Sequence, residues 1–103
     1  MAGHLPITLA VSALNDLEEI RSHYLEKQIP EVGEKLTRDI FNAMEGLGLF
    51  SDQGRIVPEF GQPLLRELIH PPFRIVYRRD PGRIRVVRIW RSERLLRFPE
   101  KNR

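Results

Sequence analysis

The spacing of apolar side chains changes once along this chain, near residue 48, and that change limits the fold more than any other feature. Before it, Leu14, Leu17, Ile20 and Tyr24 recur at intervals of three, three and four, the one-sided stripe of an amphipathic helix. Val32, Leu36, Ile40, Ala43 and Leu47 repeat the pattern at four, four, three and four. Pro30 divides the two runs, since proline disrupts a helix interior but suits a first turn. The spacing predicts two helices, the second starting near Pro30 and stopping at Gly46 or Gly48. So short a connection makes them an antiparallel hairpin. Ser12 stands where a cap for the first helix is expected, with Asn15, Asp16, Glu18 and Glu19 following in its opening turns. Acids there suit the positive end of the helix dipole.

Outside the helices the period is two. Residues 6–11 alternate apolar with small or polar side chains and read as a short strand. After Gly48, Asp52-Gln53-Gly54 is a turn and Arg55-Ile56-Val57-Pro58 a short extended piece ending at proline. Leu64 to Ile69 reads as a strand closed by Pro71-Pro72, and Phe73 to Arg78 as another, from its aromatic and β-branched content. Asp80-Pro81-Gly82 supplies the turn into a strand from Arg83 to Arg91. Strict alternation there sets Ile84, Val86, Arg88 and Trp90 on one face and Val87, Ile89 and Arg91 on the other. Apolar residues on both faces indicate a central strand. Tyr77 and Trp90 are read as core rather than as platforms for a base. Ser92 to Phe98 reads as a last short helix and residues 99–103 as a frayed tail. The order gives an α+β fold: an N-terminal strand and antiparallel helical hairpin packed on a small antiparallel β-sheet, with a short C-terminal helix. At 103 residues it is one domain, residues 1–103.

Charge follows the same division. Residues 1–52 carry four basic and nine acidic side chains, a sum of −5, while residues 53–103 carry thirteen and five, a sum of +8. The basic half is almost all arginine, whose planar, always-charged fork fits carboxylate and phosphate, so an anionic partner is expected. With no cysteine in the chain, disulfides, thiolate metal sites and cysteine nucleophiles are excluded. No apolar run approaches the roughly 18 residues of a membrane span, and residues 1–5 show no leader pattern, so a cytoplasmic protein is expected.

Enzymatic constellations are sparse. His4, His23 and His70 have no metal-ligand spacing, and neither a metal nor a cofactor is expected. Gly46-Leu47-Gly48 lacks the length and the lysine of a phosphate loop. Ser12 and Ser92 read as caps, not nucleophiles. Glu59, after Pro58, is a candidate general base. Arg66, Arg74, Arg78, Arg88 and Arg91 are the candidate binding residues. Alternation puts Arg74 and Arg78 on one face, and an arginine turned inward requires a partner, for which Glu67 and Asp39 are the candidates.

Taken together, the ordered segments resemble the ParE/RelE superfamily of toxins from bacterial toxin–antitoxin modules, the plasmid-stabilisation type. The resemblance runs from about Leu9 to Leu96. It rests on Asp16-Leu17-Glu18-Glu19-Ile20 with Tyr24, Gly54-Arg55-Ile56-Val57-Pro58-Glu59, Leu65-Arg66-Glu67-Leu68, Phe73 to Arg78, and Ile84 to Trp90 running into Arg94-Leu95-Leu96. It implies a toxin that halts growth and is neutralised by an antitoxin whose extended segment wraps it. Two branches imply different actions. ParE-like members inhibit DNA gyrase and replication and are not hydrolases, whereas RelE-like members cleave mRNA in the ribosome. The Leu65-Arg66 pair is closer to the ParE pattern. Ile69 stands where RelE-type ribonucleases carry an arginine, and Arg91 where many relatives carry a histidine. The resemblance thus implies a gyrase-directed toxin that is not an enzyme, with Arg66, Arg74, Arg78, Arg88 and Arg91 meeting the target. On the alternative, an endoribonuclease acting on ribosome and mRNA, Glu59, Arg66, Arg74 and Arg91 form the catalytic set.

Overall fold

The structure, a computed structural model, describes residues 4–91; the helix expected at 92–98 and the tail after it lie outside the described residues. The elements are β1 (Ile7–Leu9), α1 (Val11–Glu26), α2 (Pro30–Leu49), β2 (Arg55–Ile56), β3 (Leu65–His70), β4 (Phe73–Asp80) and β5 (Arg83–Arg91). The hairpin of helices and every expected strand are present, so the α+β expectation holds. Pro30 opens α2 in its first turn, as its missing N–H allows.

The strands form one sheet in the order β1-β5-β4-β3-β2. β2 to β5 are antiparallel neighbours, but β1 lies parallel to β5, with Ile7 opposite Ile84 and Leu9 opposite Val86. The sheet is therefore mixed rather than wholly antiparallel. Parallel pairing needs a crossover, and the two helices between β1 and the rest of the sheet supply it.

α1 starts one residue before the expected cap. Ala10 holds the N-cap position with no side-chain bond, and Ser12 Oγ donates to the Val87 carbonyl at 2.7 Å. The Ala10 amide donates to the Val86 carbonyl at 2.9 Å. The chain thus leaves the β1–β5 ladder directly into the helix, and Ser12 serves the neighbouring strand instead of its own helix.

Strict alternation fails in β5. Val86 lies opposite Tyr77 and Arg88 opposite Val76, which leaves Val87 without a partner, a β-bulge. The extra residue reverses the phase of the second half of the strand. Ile84, Val86 and Ile89 are buried, whereas Arg88 and Trp90 are only partly covered. Trp90 is thus a rim residue, contrary to the expectation from unbroken alternation. Tyr77 is fully buried, as expected.

The core lies between the helices and one face of the sheet. α1 contributes Ala13, Leu17 and Ile20, α2 contributes Ile40, Met44 and Leu47, and the sheet contributes Phe73, Ile75 and Tyr77 with the three β5 residues. Leu14, assigned to the buried stripe by spacing, is 51% exposed because Ala13 takes that place. At Gly33 a Cβ would sit 3.1 Å from the Cβ of Tyr24, so its lack of a side chain lets the helices close. No described helix is long and apolar enough to cross a membrane.

Candidate functional site

The sheet face turned away from the helices carries several of the arginines. Alternation along β3 and β4 brings Glu67, Ile69, Arg74, Val76 and Arg78 to that face, opposite the core positions of the same strands. A helix-free face would leave them in water, yet Glu67 is 1% and Arg74 is 3% exposed. Two buried charges are stable only when paired and fully hydrogen-bonded. Arg74 Nε donates to Glu67 Oε1 at 2.5 Å, and its two terminal nitrogens grip Glu59 at 2.9 and 3.1 Å. The second Glu67 oxygen accepts from Arg55 Nε at 2.6 Å. β2 makes this possible by setting Arg55 directly opposite Glu67. The chain after Pro58 then brings Glu59 over the strands. The Arg74 guanidinium holds the Glu59 carboxyl below its ordinary range, against the opposing effect of burial. A carboxylate so engaged is a poor proton acceptor.

On the core side, Arg66 lies opposite Tyr77. Arg66 Nη1 donates to the Gly54 carbonyl at 3.1 Å. The Tyr77 hydroxyl donates to the Ser51 carbonyl at 2.9 Å and accepts from the Gly54 amide at 3.0 Å. Burial pushes the phenol up, which keeps the proton that makes the first of these bonds. A Cβ on Gly54 would fall 2.5 Å from the Tyr77 hydroxyl, so only glycine lets the turn close on the phenol.

At the β5 edge, Arg88 forms a bidentate pair with Asp16 of α1 at 2.8 and 3.1 Å and lies over the Trp90 ring, 4.9 Å from its centroid. Arg78 is held in bidentate fashion by Asp80 at 2.7 and 3.0 Å, and Arg83 shares that carboxylate. Arg91 lies over Phe73, 5.7 Å from the ring centroid. It borders a cleft of about 380 Å³ between α1 and β5, walled by Ile20, Tyr24, Phe73 and Ile89 with Glu19 and Asp16 among its polar residues.

The sequence candidates are thus distributed rather than gathered. Glu59 and Arg74 meet on the open face, with Arg78 four residues further along the same strand. Arg66 points to the opposite side of the sheet, and Arg88 and Arg91 belong to the α1 edge. Glu67 is the partner anticipated for an inward arginine, while Asp39 pairs with Lys35 on α2 instead. Asp16 was not anticipated. Its signal is a carboxylate inside an apolar stripe, since residues 13, 16, 17 and 20 share one helix face.

Known proteins agree with this architecture. Residues 7–96 match the family model described as the ParE toxin of the type II toxin–antitoxin system, parDE. No curated protein matches the chain. A solved structure titled "Chromosomal ParDE TA system from P. aeruginosa" is similar, with a TM-score of 0.72 and 28% sequence identity, over 85% of this chain and 96% of that one. The fold and the family match over residues 7–96 establish that the chain belongs to the ParE toxin family.

Proposed function

We propose that this protein arrests bacterial growth by inhibiting DNA gyrase and that a cognate antitoxin neutralises it. The family match over residues 7–96 carries this reading. The similarity to a ParDE system supports an antitoxin partner. The site geometry supports a binding toxin over a ribonuclease. Glu59 is fixed by two bonds to Arg74, and Arg66 lies across the sheet from both. A general base and phosphate clamp need convergent groups. Of Arg66, Arg74, Arg78, Arg88 and Arg91, Arg66 is turned to the core side and Arg74 is buried, so the proposal assigns target contact to Arg78, Arg88 and Arg91. Arg78 and Arg88 keep 42% and 39% of their side chains exposed and present the charge. Inducible expression in a bacterial host tests the proposal, with cell morphology, DNA-damage signalling and message integrity followed together. Filamentation with intact message is the expected result. Rapid message cleavage would move the protein to the ribonuclease branch, and unimpaired growth with soluble protein would overturn both.

A further inference from the structure

The open face of the sheet holds a row of residues whose charges do not balance. Register places Thr8, Arg85, Arg78 and Leu65 side by side across β1, β5, β4 and β3. Arg78 and Arg85 are direct cross-strand partners, an arrangement of like charges that costs stability unless an anion lies between them. Arg78 has Asp80. Its other neighbours on this face are likewise occupied, Arg83 by Asp80 and Arg74 by two glutamates. Arg85 has no carboxylate among the described residues; its one hydrogen bond goes to the neutral Thr8 Oγ1 at 3.3 Å. A half-buried guanidinium facing a second one across the ladder, with a hydroxyl at its side, is a site for an oxyanion.

We propose that the Arg85–Arg78–Thr8 row receives a carboxylate from an acidic, partly apolar segment of the antitoxin, an inference that rests on the toxin–antitoxin reading above. The surroundings favour a polypeptide over a nucleic-acid strand. Leu65 continues the row, and Ile69 stands exposed at 44% on the same face of β3. These suit apolar side chains interleaved with the acid. A single strand would need an aromatic platform. Trp90, an aromatic of this face, already carries the Arg88 guanidinium on its ring.

The test uses the full chain and the antitoxin encoded with it. Affinity is measured by titration calorimetry at low and raised salt for wild type, Arg85→Gln and Arg83→Gln. Circular dichroism confirms that each variant is folded. The expected result is a loss of about tenfold or more with a shallower salt dependence for Arg85→Gln, and a change below about twofold for Arg83→Gln. Equal binding by Arg85→Gln and wild type would overturn the inference and leave the toxin reading standing. Failure of wild type to bind the antitoxin would overturn that reading and the inference with it. A single-stranded DNA oligonucleotide is titrated in parallel. A loss confined to the oligonucleotide would overturn the assignment to a protein carboxylate.

Discussion

Asp16 of α1 accepts the backbone N–H of Ile89 of β5 at 2.8 Å, just past the point where β1 ceases to pair with that strand. β1 covers the β5 edge only from Ile84 to Val86. Beyond it, Ser12 and Asp16 take over, one donating to the Val87 carbonyl and the other accepting from the Ile89 amide. A helix thereby protects a strand edge that would otherwise present unpaired backbone groups. The same carboxylate holds Arg88, so one side chain docks the helix and fixes an arginine.

Asp16→Ala should therefore loosen the α1 side of the molecule. It strands the Ile89 amide and the Arg88 guanidinium together, a loss of about 1–3 kcal/mol. Urea unfolding reads the stability change, and hydrogen exchange at the Ile89 amide localises it. Unchanged protection at that amide would show that the carboxylate is not its partner.

Arg74→Ala should be among the most damaging single changes. It leaves Glu67, 1% exposed, with Arg55 as its remaining cation among the described residues and releases Glu59. Breaking a buried pair by removing one partner costs about 3–5 kcal/mol. A loss of toxicity in this variant is then interpretable only beside its unfolding curve. Arg78→Ala gives the cleaner test of target contact, since its guanidinium is partly exposed and its partner Asp80 lies in the same hairpin.

Acid should weaken the fold through Glu59. Its native pKa is depressed by Arg74, so it binds a proton less readily folded than unfolded. Its contribution is complete above the ordinary glutamate range and is lost as pH falls through the lowered native value. Glu59→Gln should flatten the fall in stability below that range. Denaturation midpoints of the two proteins across acidic pH check this, and parallel curves would contradict it.

Gly54→Ala should destabilise the fold by about 1–3 kcal/mol by overpacking, because the new methyl meets the Tyr77 hydroxyl at 2.5 Å and the Glu67 carbonyl at 2.6 Å. Tyr77→Phe removes only the first obstacle, so glycine should remain preferred in that background too. Thermal unfolding of the single and double variants measures both effects.

How much of this was legible in the sequence depended on range. The helices and the β4–β5 hairpin follow from local periodicity and from turn residues at Pro30 and Asp80-Pro81-Gly82. The phase of β5 does not, because a bulge needs one unpaired residue and nothing in Val86-Val87-Arg88 marks which one. Misplacing Trp90 follows from that alone. The parallel placement of β1 was hidden for a related reason, since a strand of three residues carries no signal of its neighbour's direction. Among the site residues, Glu67 was found because an inward arginine needs an acid. Asp16 and Arg85 were not, since their partners lie more than 70 residues away in the chain.

The pairing of β1 with β5 also has a consequence for synthesis. Ile7 and Ile84 are neighbours in space and 77 residues apart in sequence. The helical hairpin between them closes through local contacts, the kind that form fast. Its inner face, however, is covered by Phe73, Ile75, Val86 and Ile89, residues that are synthesised after it. During synthesis the hairpin therefore waits with Leu17, Ile20, Ile40 and Leu47 uncovered, and is open to other apolar surfaces. β1 pairs with no described strand but β5, so the first of the described strands to be made has no partner in the sheet until β5 has been made.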